Sequence, residues 1–111
     1  MTIAEQLIIH NDYDLIAAVP DFTAAIMALA ERVERQGEPG VLTYRFYACA
    51  PDRTARATII YADPAAWIGH HEISFDWPEM RRLHSVARLR QVTIHGDFTT
   101  EIRDWLAKAG L

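Results

Sequence analysis

Hydrophobic and polar positions interleave most regularly between Val41 and Ala62. From Val41 to Ala50 two sets alternate: Val41, Thr43, Arg45, Tyr47 and Cys49 against Leu42, Tyr44, Phe46 and Ala48. Successive side chains point to opposite faces of a strand, so these sets are its two faces. A second strand over 56–62 sets Ala57, Ile59 and Tyr61 against Thr58 and Ile60. Pro51-Asp52-Arg53 between them is turn material, and so short a loop makes the pair an antiparallel hairpin. Asp63 and Pro64 then supply an N-cap and a first-turn proline for a helix carrying Trp67, His70 and His71.

Ahead of the hairpin, Tyr13–Val19 is a continuous apolar run, the pattern of a strand buried on both faces. The first core strand is expected between residues 4 and 19, chiefly in the second half, with Asn11-Asp12 a turn signal. Thr2-Ile3-Ala4-Glu5 has the form of a capping box, which favours a short helix over an extension of the strand. Pro20-Asp21 closes the run and opens a helix at Phe22. Phe22, Ile26, Leu29 and Val33 recur on it at helical spacing. Gly37 and Pro39-Gly40 end it.

After the hairpin, the helix from Pro64 breaks near 72–76. Another helix starts at Trp77-Pro78, with Trp77, Met80, Leu83, His84 and Ala87 on one face. A fourth strand over 88–95 stops at Gly96-Asp97. A last amphipathic helix, Thr100–Ala109, offers Ile102, Trp105 and Leu106 to a helix layer or to a partner subunit.

The order β-α-β-β-α-β plus a terminal helix is ferredoxin-like, an α+β fold. The length of 111 residues predicts one domain over 1–111, with 97–111 a C-terminal helical extension. Helices would cover one sheet face. The other, with Val41, Tyr47, Ile60 and Leu89 among its candidates, reads as too apolar to stay wet. A second copy of the same sheet would cover it, giving a homodimer.

Composition narrows the function classes. With 50% hydrophobic and 23% charged residues the chain is neither disordered nor fibrous. A net charge of −4 weighs against a nucleic-acid surface, which is usually basic. Cys49 is the only cysteine, so no internal disulfide can form, which suits a reducing, cytoplasmic setting. No signal-peptide pattern is visible, and no apolar run approaches the roughly 20 residues that span a bilayer. No membrane partner is expected.

Glu38-Pro39-Gly40 followed by Leu42-x-Tyr44, a strand ending Tyr61-Ala62-Asp63, and Ala65-Ala66 with His70 on the next helix form a recognisable set. From about Phe22 to His95 the chain resembles the dimeric α/β-barrel superfamily, and within it the antibiotic-biosynthesis monooxygenase (quinol monooxygenase-like) group. There the third strand commonly ends in an aromatic, often Trp, where this chain has Tyr61; a histidine on the following helix is frequent. The resemblance implies two sheets pairing into a dimeric α/β barrel. It also implies a pocket in each subunit between sheet and helices, and a monooxygenase that needs no cofactor and acts on a small aromatic or quinol-like compound. Tyr44, Phe46, Tyr61 and Trp67 are the substrate-binding candidates, with His70 and His84 as catalytic candidates.

Oxygenation without a cofactor asks for few groups. A phenol-like substrate must lose a proton, and oxygen must reach its anion in a dry cavity. A histidine, with a pKa near ~6.5, can take that proton. The plainer reading has His70 bonded to a nearby carbonyl and the aromatics filling core. His70 or His71, Glu72 and His84 include the residue types of a two-His, one-carboxylate metal site, but no spacing is diagnostic, and no metal is expected. Haem degradation, found elsewhere in the superfamily, would use an Asn on the first strand, a Trp after strand three and an axial His. Here Asn11 serves only if the strand runs through it, His70 takes the position wanted for Trp67, and His84 comes too late. Cys49 reads as a small core residue. Arg81, Arg82, Arg88 and Arg90 read as solvated or paired cations. Two other functions use the same residues: a non-catalytic dimeric binding or accessory protein, its cavity filled by Trp67, Phe75 and Trp77, and an isomerase or decarboxylase working through one histidine.

Overall fold

The computed structural model describes residues 6–110. In chain order it contains β1 (Leu7–Leu15), α1 (Val19–Gln36), β2 (Val41–Cys49), β3 (Thr54–Tyr61), α2 (Pro64–Ser74), α3 (Pro78–Val86), β4 (Ala87–His95) and α4 (Thr100–Ala109). The strands form one antiparallel sheet in the order β2-β3-β1-β4. This is the ferredoxin-like α+β arrangement that the alternation predicts. The capping-box segment 2–5 lies outside the described residues.

β1 differs from expectation. It occupies the middle of the 4–19 window rather than chiefly its second half, and it runs straight through Asn11-Asp12. The reason is half-burial. Leu7, Ile9, Tyr13 and Leu15 are buried under the helices, whereas His10, Asp12 and Asp14 face the other way. Asp12 does not turn the chain, because Arg56 on β3 pairs with it at 2.7 Å across the strands. Ala17 and Ala18 lead instead into α1, whose first turn holds Pro20.

The second face of the sheet is also more polar than expected. Two bulges change its membership, since an inserted residue shifts the alternation of every later position in its strand. Leu42 is skipped in the pairing of β2 with β3, which puts Val41 beside Tyr61 on the helix side. Arg90 is skipped in the pairing of β4 with β1, which puts Leu89 beside Tyr13 on the same side. Tyr47 and Ile60 remain on the helix-free face. Their neighbours there are paired polar groups: His10 with Thr58 at 3.1 Å, Asp12 with Arg56, and Asp14 with Arg88 at 3.4 Å. Cys49 lies at the exposed end of β2, not in the core, and its thiol donates to Asp52 at 3.3 Å.

On the helix side, α1 buries Phe22, Ala25, Leu29 and Val33. α3 packs along α1, where the Arg32 guanidinium lies 4.4 Å over the Trp77 ring and reaches Glu79 at 3.0 Å. α4 packs on α2, burying Ile102 completely. Its Thr99 cap accepts a hydrogen bond from the Ile102 amide. None of the described helices is long and apolar enough to cross a membrane.

Candidate active site

The Asp63-Pro64 pair starts α2 as expected. The Asp63 carboxylate accepts from the Ala66 amide at 2.8 Å, fixing the register of the helix over the sheet. That register delivers His70 inward. Only 4% of His70 is exposed, and its ring lies against Tyr44 (5.4 Å between centroids) and Tyr61 (5.7 Å). Its Nδ1 is buried with no hydrogen-bond partner. An unsatisfied buried polar atom costs about 1–3 kcal/mol, so native proteins seldom keep one without a use. Burial, with a smaller contribution from neighbouring His71, lowers the His70 pKa to about 4. The imidazole is therefore neutral at physiological pH, with an unpaired nitrogen inside the protein.

Two phenols, Tyr44 and Tyr61, flank it, and a third, Tyr13, lies beyond Phe46. Tyr44 packs edge-on against Phe46, 5.2 Å away, and Phe46 packs against Tyr13 and Phe22, each at 6.3 Å. Burial pushes the Tyr44 pKa well above the ordinary tyrosine value, helped by repulsion from the Tyr13 and Tyr61 phenolates that would form beside it. Tyr61 and Tyr13 are raised too, again chiefly by burial. All three phenols stay protonated and can donate hydrogen bonds to an anion. Tyr13 was not among the sequence candidates, and Asn11, whose amide donates to the Tyr13 hydroxyl at 3.4 Å, entered only through the haem reading. The odd-numbered alternation of Leu7, Ile9, Asn11, Tyr13 and Leu15 was the signal that would have placed them on this face.

The expected site residues separate into two groups. Tyr44, Phe46, Tyr61 and His70 come together. Trp67 does not join them. It points to α4, stacking on His71 at 4.0 Å and meeting Trp105 (5.5 Å) and Phe98 (6.4 Å) edge-on. His84 is exposed on α3. The buried positions there are Leu83 and Val86, and His84 is rotated about 100° around the helix from Leu83, off the narrow face this short helix buries. Nor does the accessory-protein alternative find its expected filling. Trp77 is packed beneath Arg32, and Phe75 is 72% exposed. β1 does run through Asn11, which meets one condition for haem degradation, while Trp67 and His84 lie elsewhere. Among the described residues, no three of His, Cys, Asp or Glu gather as a metal-holding group.

Outside the Tyr44 ring lies a groove of about 1010 Å³ between α1 and the start of β2. Val33, Val41, Leu42 and Tyr44 contribute its apolar wall, and Glu31, Glu34 and Glu38 its acidic rim. The loop over 37–40 is fastened to α2. A side chain at Gly40 would collide with Ala66, and one at Gly69 would come within 2.6 Å of the Glu38 carboxylate. These two glycines let the groove wall sit directly on the helix that carries His70.

The fold is ferredoxin-like, with a cluster of buried aromatic rings packed between sheet and helices. Neither a family model nor a curated protein sequence matches the chain, so the likeness is structural. MupZ from Pseudomonas fluorescens superposes with a TM-score of 0.78 at 16% identity, over 96% of this chain and 85% of that one. A mutant form of SnoaB, a cofactor-independent oxygenase from Streptomyces nogalater, gives 0.71 at 15% identity, over 87% and 97%. A proposed antibiotic biosynthesis monooxygenase from Caulobacter crescentus CB15 gives 0.67 at 16% identity, over 83% and 87%. At these identities the fold is what is shared.

Proposed function

We propose that this protein is a cofactor-independent monooxygenase of a small phenolic or quinol-like compound, with His70 as the base. The observation that carries this reading is the buried, unpartnered Nδ1 of a neutral His70 between Tyr44 and Tyr61. A phenol bound there gives its proton to Nδ1. The imidazolium, unfavourable alone in this interior, is stabilised by the phenolate formed beside it. The tyrosine hydroxyls donate to the developing anion. Dioxygen then takes electrons from the ring carbon para to the oxygen and bonds to it. Loss of water leaves a quinone, so that a phenol and O2 become a quinone and H2O. One oxygen atom enters the product, the other leaves as water, and the substrate supplies all the electrons.

The same reading takes the working unit as a cytoplasmic homodimer, joined through the helix-free sheet face into an α/β barrel. Ile60 and the exposed Tyr47, the apolar side chains that remain on that face, support it as a self-complementary surface. Light scattering should give twice the chain mass, and a strictly monomeric result at micromolar concentration removes the dimer from the reading.

Close packing favours a second reading, a non-catalytic binding protein of the same fold, because Tyr61 is only 1% exposed and His70 4%. Oxygen uptake with a panel of hydroquinones and naphthols decides between them. Uptake by the wild type that disappears in His70→Leu supports the oxygenase. No uptake with any of the panel, with binding retained, supports the accessory protein. Conversion of substrate without oxygen consumption points to an isomerase or decarboxylase using the same histidine.

A further inference from the structure

Resting on the oxygenase reading, we infer that the groove between α1 and β2 is the access route for an uncharged phenol and that Tyr44 is the gate between groove and His70. Three observations support this. First, of the rings touching His70, Tyr61 is sealed in the core and His71 is turned to the Trp67–Trp105 cluster. Tyr44 is the neighbour that also belongs to the groove wall, and it is partly exposed where His70 is not. A molecule in the groove reaches Nδ1 by displacing the Tyr44 ring. Second, Tyr44 stands on edge strand β2, which pairs with β3 alone. A swing of its ring disturbs one flank of the sheet rather than two. Third, the rim is charged in one sense. Glu31, Glu34 and Glu38 face a single guanidinium, Arg35, which is already 3.6 Å from Glu31. A carboxylated aromatic is repelled there, whereas a neutral phenol is not.

The test uses the whole protein and reads access independently of turnover. Diethyl pyrocarbonate modification, mapped residue by residue, should leave His70 almost untouched in the wild type while exposed His84 and His95 react. Tyr44→Ala should make His70 react several-fold faster. Its imidazole midpoint by NMR should move from about 4 towards the ordinary value of about 6.5 as water enters. 1-Naphthol should protect the opened His70 from modification, and 1-naphthoate should not. If Tyr44→Ala fails to fold, Tyr44→Leu serves, since it removes the ring and keeps an apolar side chain. A His70 that stays unreactive in a folded variant of either kind overturns the gate. Equal protection by naphthoate overturns the charge selection. Failure of the oxygenase reading looks different: His70 opens as described, yet no phenol drives oxygen uptake.

Discussion

His70 and His71 are neighbours in sequence and opposites in circumstance. His71 is bonded and stacked where His70 is not. Its Nδ1 donates to the Trp67 carbonyl at 2.7 Å, and its ring stacks on Trp67 and meets Trp105 edge-on. Trp105 in turn donates to Glu72 at 2.8 Å. That side of α2 is a finished aromatic seam fastening α4 to the domain. His70, about 100° around the helix, packs against the Tyr44 and Tyr61 rings with its Nδ1 unbonded. One side of the helix is built for cohesion. The other carries an unmet polar group that a ligand could satisfy.

The largest test of this contrast is Trp67→Ala. Deleting a buried indole from the cohesive side should cost about 3–5 kcal/mol in chemical denaturation, and the His70 midpoint should stay where it is. A large change in His70 titration would show that the two sides are not separate.

Acid comes next. His70 titrates near 4 when folded and near 6.5 when unfolded, so between those values the unfolded chain holds the extra proton. Stability from this group is complete above pH about 6.5 and is lost as pH falls towards about 4. The loss should reach about 3 kcal/mol, from roughly 2.5 pK units at 1.36 kcal/mol each. Denaturation curves measured at intervals from pH 7.5 to 4 check it. His71, also lowered by burial, adds to the slope in the same direction.

His70→Leu should flatten most of that slope. Because it replaces an unsatisfied polar atom with a carbon side chain of similar size, it should be neutral or stabilising at pH 7, by up to about 1–3 kcal/mol. A stabilised but inactive variant is the expected mark of a residue kept for function. A clearly destabilised one would make His70 a packing residue like its neighbour. The smallest effect belongs to Glu72→Ala, which removes the acceptor of the Trp105 indole at an exposed site and should cost about 1 kcal/mol or less.

Much of the architecture was legible in the sequence, for local reasons. The hairpin of β2 and β3, the Asp63-Pro64 helix start and the terminal helix come from alternation or capping, which act over a few residues, and the grouping of Tyr44, Phe46, Tyr61 and His70 followed from strand parity together with the family resemblance. The misplaced features depend on partners far along the chain. Asp12 looks like a turn until Arg56 is brought across from β3. Val41 and Leu89 change faces because bulges at Leu42 and Arg90 are set by pairing with other strands. Trp67 was expected beside His70 in the substrate pocket, but Trp105 and Phe98, more than thirty residues later, hold it on the other side. Glu38 drew notice only within the Glu38-Pro39-Gly40 motif, and its place on the groove rim depends on the bare Gly69.

That last contact gives a rule for comparing related sequences. With a side chain at Gly69 the Glu38 carboxylate would have to withdraw, and with one at Gly40 the loop would lift from Ala66. Positions 38, 40, 66 and 69 should therefore vary as a block. Chains with Ala or Ser at position 69 should carry a shorter residue at 38, and chains with a bulkier residue at 66 should keep Gly at 40.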